Sequence, residues 1–227
     1  MRKGDRIRRD IDILAFCGAN GSGKTLLAVG DAVQSLDAGR PVLSTVRLLG
    51  SDGQAHPLWI PMTGWDTLLD AEHCDVLMDE VSGVASARAS MSLPGPVEVL
   101  LQQLRKRDIK LRWTAPSWQR ADRVIRECTQ AVVLCYSMFR SAAVGQHWRT
   151  TRLLKARLVD ARDLDDLTDG VKQRAPALHV DWVRVSRYHA KSRYDTLEQV
   201  MSLPTVEGGR CARCGGRRRI PTCTCTD

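Results

Sequence analysis

The chain alternates short apolar runs with segments whose apolar residues recur every three to four positions. Ile11 to Phe16 reads as a buried strand, followed by a Gly-rich turn and a helical stretch with Leu26, Val29, Val33 and Leu36 on one face. Gly39 and Pro41 stop that helix. Val42 to Leu48 predicts a second strand, Gly50 to Gly53 a turn, and Leu58 to Ile60 its hairpin partner. Thr63, three residues before Asp66, predicts a capping box opening a short helix through Ala71. Asp75 to Asp79 is a third strand, central by its apolar run, and Ser82 to Pro94 reads as a loop. Pro96 suits the first turn of a helix bearing Val97, Leu100, Leu101 and Leu104. Ile109 to Trp113, Arg120 to Glu127 and Ala131 to Tyr136 continue as strand, helix and strand. Such alternation predicts an α/β fold, a mostly parallel central sheet flanked by helices. Beyond Tyr136 the pattern loosens: His147 to Leu158 and His179 to Tyr188 are candidate further strands, and Asp160 to Gly170 an acidic helix or loop.

Composition changes this picture at three places. The 227 residues are 43% hydrophobic and 26% charged, which fits one globular domain with a small appendage. The six apolar residues from Ala131 to Tyr136 fall far short of the roughly 20 that span a bilayer, and the basic N-terminus lacks the apolar stretch of a secretory signal. The expected location is cytoplasmic. Net charge is +8, but residues 1–10 and 205–227 each hold five Lys and Arg against two acids, leaving +2 between them. The expected organisation is a basic arm at 1–10, one domain at 11–204, a linker at 205–210 and a tail at 211–227.

Gly18-Ala-Asn-Gly-Ser-Gly-Lys-Thr25 carries the most specific chemistry. It matches the Walker A pattern and has the required context, a strand before it and a helix after it. Backbone N–H groups from Gly18, Ala19, Asn20, Gly21, Ser22 and Gly23 can turn around phosphate oxygens, Lys24 reaches the β- and γ-phosphates, and Thr25 holds Mg²⁺. The ligands so implied are ATP and Mg²⁺. The strand ending at Asp79 supplies the Walker B carboxylate, and Glu80, one residue on, is placed to activate a water. An Asp-Glu pair favours water over a small phosphoryl acceptor.

Between Arg105 and Arg126 eight basic residues stand against Asp108 and Asp122. This run suits phosphate-backbone contact, or an arginine offered to a neighbouring subunit's ATP, the candidate fingers being Arg107 and Arg126. Trp113 and Trp118 flank it and read as core packing more than as base stacking. Of eight cysteines, Cys17, Cys74, Cys128 and Cys135 are scattered among apolar residues and read as packing. Cys211, Cys214, Cys223 and Cys225 have spacing that can close around Zn²⁺, giving a zinc-ribbon-like tail. His73 beside Cys74 reads as a helix-end residue, not a metal site.

In order, the Walker A segment, Met78-Asp79-Glu80, Leu100 to Lys110, Trp113-Thr-Ala-Pro-Ser117, Val124-Ile-Arg126 and Tyr194-Asp195-Thr196 resemble the zonula occludens toxin-like ATPases. These group with filamentous-phage assembly ATPases in the FtsK–HerA class of P-loop motors. The resemblance implies a homo-oligomeric, ATP-hydrolysing motor of phage or mobile-element origin, acting in DNA translocation, packaging or virion assembly, with DNA and assembly proteins as partners. It also implies a polar γ-phosphate sensor at the end of the fourth core strand, where Thr114 fits and Ala115 does not. Many phage-assembly members carry a membrane helix that this chain lacks, and the cysteine tail is not part of the pattern. Competing readings are a nucleotide-gated nucleic-acid- or protein-binding module, and a small-molecule kinase with Arg120, Arg123 and Arg126 as a lid.

Overall fold

In the computed structural model, residues 3–81, 93–138, 153–168, 170–171 and 175–194 are described. Eight strands form one sheet: β1 (Ile13–Cys17), β2 (Val42–Ser44), β3 (Trp59–Pro61), β4 (Asp75–Met78), β5 (Lys110–Ala115), β6 (Ala131–Ser137), β7 (Leu153–Asp160) and β8 (Ala177–Arg184). Their spatial order is β3-β2-β4-β5-β1-β6-β7-β8. The first six are parallel, while β7 and β8 are added antiparallel.

Each central strand is apolar on both sides because each side has its own core. Leu14 and Phe16 of β1 face one core with Leu77 of β4, whereas Ile13, Ala15 and Cys17 face the other with Val76 and Met78. The first core is closed by α2 (Lys24–Asp37), whose Leu26, Val29, Val33 and Leu36 are buried as their spacing predicts. The second is closed by α3 (Trp65–Leu69), α4 (Gly95–Gln103), α5 (Arg123–Cys128) and α6 (Ala161–Thr168). Trp113 and Trp118 stack at 5.7 Å within it, in the core as expected.

Several local expectations change. Leu58 to Ile60 is not a hairpin partner: β3 runs parallel to β2, with Val42 opposite Trp59. The turn at Gly50 to Gly53 does form, but it pairs Leu49 with Ala55, and the chain then returns to the start of β2 before entering the sheet. Thr63 makes no capping box; Gly64 is the N-cap, and the Thr63 hydroxyl meets that of Thr67 at 3.1 Å. The helix over Arg120 to Glu127 starts later, at Arg123, because Asp122 accepts the Val124 N–H and fixes its N-cap. Within the basic arm, Lys3–Arg9 forms a helix, α1, docked on α2 and β8. Its Arg8, 3% exposed, donates to Asp31 of α2 and Asp5, and lies 3.6 Å from Asp181 of β8. Burial disfavours that charge, but the flanking carboxylates more than offset it and its pKa is raised. The expected loop at Ser82 to Pro94 lies mostly outside the described residues. So do the linker and the cysteine tail at 205–227.

Candidate functional site: the nucleotide cleft

A parallel sheet collects its strand ends on one edge, and here that edge holds the carboxyl ends of β1, β4 and β5 side by side. The Walker A turn leaves β1 after Cys17 and enters α2 at Lys24. Gly23 caps the helix with φ of 86°, a left-handed conformation that disfavours side chains. At Gly18 a Cβ would lie 2.5 Å from both the Cys135 carbonyl oxygen and the Ser22 hydroxyl, so the turn closes only without a side chain there. Ser22 Oγ is buried in this turn and has no hydrogen-bond partner.

The acidic half of the site is held by three threonines. Thr25 Oγ1 donates to Asp79 Oδ1 at 2.9 Å, and Thr114 Oγ1 donates to the same oxygen at 2.7 Å. The Asp79 N–H donates to Thr45 Oγ1 and the Glu80 N–H to Thr114 Oγ1, each at 2.9 Å. Thr114, fully buried at the end of β5, therefore grips both residues of the Asp-Glu pair. Glu80 adopts φ of 53°, a strained conformation for a non-glycine residue that turns its carboxylate back toward the P-loop. There Glu80 Oε1 meets Lys24 Nζ at 2.7 Å, pairing a lysine side chain only 7% exposed with a half-exposed glutamate.

Burial raises the Asp79 pKa; the hydroxyl bonds from Thr114 and Thr25 oppose the rise, and the neighbouring Glu80 charge adds to it. Tyr194 is pushed up to about 12 by burial and then by the Asp79 charge. The Leu49 N–H donates to the Arg193 carbonyl and Leu48 pairs with Tyr194, strapping this late segment onto the chain after β2.

A cleft of about 330 Å³ opens beside the turn, lined by Gly18, Ser22, Pro116, Trp118, Leu134 and Tyr136 among others. Walker A and Walker B residues thus come together as the sequence predicts. The basic run does not form one belt beside them. Arg107 lies at the amino end of β5, opposite the cleft, and donates to the Leu69 carbonyl at 2.6 Å. Arg112 is buried near Asp31, and Arg105 and Lys110 reach back to Asp12 and the Arg9 carbonyl. Arg126, in the last turn of α5 before the amino end of β6, lies 3.3 Å from Asp165 and 5.9 Å over the Trp118 ring. Thr45 was not singled out by the sequence; its only signal is its place one residue past β2, the strand beside β4.

Cys17, Cys74 and Cys135 are buried free thiols and Cys128 is half-buried, which agrees with packing roles. His73 lies beside Asp108 at 3.4 Å, and no cluster of metal-binding side chains occurs among the described residues. No helix among them is long and apolar enough to cross a membrane.

No protein-family model matches the chain, and neither does any curated protein. Among solved structures the chain is similar to the N-terminal domain of zonular occludens toxin from Neisseria meningitidis. The TM-score is 0.51 at 15% identity, covering 82% of this chain and 99% of that one. Similarity at TM-score 0.46 and 11% identity extends to the genome-packaging NTPase B204 of Sulfolobus turreted icosahedral virus 2, over 66% of this chain and 92% of that one. A further solved ATPase domain gives 0.48 at 10% identity, over 84% and 86%. The fold is thus of the kind the sequence resemblance implied, a mostly parallel α/β sheet flanked by helices and carrying a P-loop turn.

Proposed function

We propose that the protein is an ATP-hydrolysing P-loop motor of phage or mobile-element type that works on DNA. The observation carrying this reading is the convergence on Asp79 and Glu80: Thr25 and Thr114 hydroxyls on one carboxylate, and the P-loop lysine on the other. The residues fit Mg²⁺ as well as nucleotide, since Thr25 and Asp79 are adjacent oxygen donors beside the glycine-rich turn. Bound there, Mg²⁺ would neutralise charge on the β- and γ-phosphates.

The chain's own residues account for the rest. The Walker A backbone and the start of α2 bind the phosphates. Incoming phosphate oxygens compete with Glu80 for the Lys24 ammonium, which releases the glutamate. Glu80 then takes a proton from water as the oxygen attacks the γ-phosphorus in line, and the bond to the bridging β–γ oxygen breaks to leave ADP. Thr114 holds both carboxylate-bearing residues in register and is a positioning residue in this scheme.

The kinase reading loses support because two of its three lid cations are engaged: Arg123 with Glu127 at 2.6 Å and Arg126 with Asp165. Assembly into a homo-oligomeric ring, cytoplasmic residence and Zn²⁺ at Cys211, Cys214, Cys223 and Cys225 belong to the same proposal. An arginine finger, Arg107 or Arg126, belongs to it as well. The test is ATP turnover with and without single- and double-stranded DNA, alongside the mass of the particle with nucleotide. Stimulated turnover by an assembled particle is expected; DNA-indifferent hydrolysis by a monomer would overturn the motor.

A further inference from the structure

The antiparallel extension of the sheet has one face that the described elements cover only at its Val132–Val159 end, where α6 packs. Period-two alternation sends Val183 of β8 into the core beneath α2, while α1 covers that same side through Arg8 and Asp181. The opposite side presents Tyr136 of β6, Lys155 of β7 and Trp182 of β8, directly paired across three neighbouring strands. Tyr136 is 43% and Trp182 48% exposed, and the Lys155 ammonium sits 5.4 Å from the Trp182 ring centroid. Val180 and Leu178 extend the exposed apolar surface along β8.

Charge selects the occupant. Arg157 and Arg184 join Lys155 on this side, and none of the residues that β6, β7 and β8 turn toward it is Asp or Glu. The acidic helix α6 packs over Val132 and Val159, at the start of β6 and the end of β7, and its Asp165 is taken by Trp118 and Arg126. Two copies meeting through this face would oppose like charges. A polyanion with flat rings meets none of that cost: the aromatic faces stand two strands apart, about 10 Å, with a cation between them. Tyr136 also lines the nucleotide cleft, so an occupant here touches the edge of the ATP site.

We infer that the Tyr136–Lys155–Trp182 face is a stacking platform for single-stranded nucleic acid; this rests on the DNA-directed reading above and names where the strand binds. The test uses the full chain and fluorescence anisotropy of a labelled oligo-dT of about 20 nucleotides. Trp182→Ala and Tyr136→Ala are each expected to weaken binding about tenfold, with Trp182→Phe staying within about threefold of wild type. Arg184→Gln, a change at an exposed position, is expected to lower the slope of log affinity against log salt by about one while leaving the thermal midpoint unchanged. Wild-type affinity in both alanine variants would overturn the platform. So would a loss of nucleotide-dependent assembly with oligonucleotide affinity intact, since the face would then be a subunit contact. A wild-type protein that binds neither single- nor double-stranded DNA would remove the DNA reading along with it.

Discussion

The Thr114 hydroxyl, 2.7 Å from Asp79 Oδ1, also accepts the Glu80 N–H, so one buried side chain at the end of β5 fixes both acidic residues of the site. A γ-phosphate sensor at this position needs a free donor, and here the only hydroxyl proton is given to Asp79. Thr114→Val, nearly isosteric, should therefore lower kcat by about ten- to a hundredfold while nucleotide affinity changes little, and Thr114→Ser should restore most of the rate. Steady-state kcat and KM, read beside equilibrium binding of an ATP analogue, check this. A serine variant as slow as the valine one would show that the hydroxyl alone does not carry the effect.

The Lys24–Glu80 pair makes a different demand. Glu80→Gln should retain nucleotide binding and lose turnover by about 10² to 10⁴, the usual worth of a general base. Lys24→Ala should lose affinity as well, because the ammonium has no substitute among the residues lining the turn. Single-turnover hydrolysis and titration with a fluorescent nucleotide separate the two effects.

Burial holds the Asp79 pKa above the ordinary carboxylate range. A raised folded-state value means that the ionised form costs stability, a cost absent below the unfolded pKa and growing as pH rises toward and through the folded one. Asp79→Asn should thus raise the thermal midpoint of the nucleotide-free protein by a few degrees at neutral pH. The gain should shrink as the solution is acidified below the folded pKa. Melting curves across pH test the sign; a variant less stable than wild type at neutral pH contradicts it.

Arg8 anchors α1 by ion pairs to Asp5 and Asp31 that are themselves buried. Removing one partner of such a group strands the others, so Arg8→Ala should cost about 3 to 5 kcal/mol. Denaturant unfolding of the purified variant measures it, and a loss under about 1 kcal/mol would show that α1 is only loosely docked.

At Gly30, on α2, an added Cβ would lie 2.2 Å from the Tyr188 hydroxyl. Gly30→Ala gains helix propensity yet should still destabilise by about 1 to 3 kcal/mol through overpacking. Tyr188→Phe in the same background should recover part of the loss, which a double-mutant cycle reads directly.

The Walker A turn, Asp79 and Glu80, and five of the six parallel strands were legible because they are written locally. An eight-residue turn between a strand and a helix fixes its own geometry, and alternating apolar runs fix which strands are buried on two sides. Their neighbours were not legible. Leu58 to Ile60 looked like a hairpin partner because hairpin and crossover differ only in where the chain re-enters the sheet. The run from Arg105 to Arg126 looked like one belt because sequence distance hides the six-residue strand that carries Arg120 to the edge opposite Arg105 and Arg107, and the helix that then turns the chain back.

By itself the sequence determined the chemistry available at the cleft: Gly18 to Thr25, Asp79 and Glu80, in an α/β frame. Only the tertiary structure decided what those groups touch. Strand order places β5 between β1 and β4, and that insertion delivers Thr114 to Asp79 and Glu80. It likewise brought Thr45 from the end of β2, Tyr194 from a segment far along the chain, and Tyr136, Lys155 and Trp182 from three strands onto one face. Residues distant in sequence meet only through the pairing of whole strands, a choice set by the sum of two cores and not by any one segment's pattern.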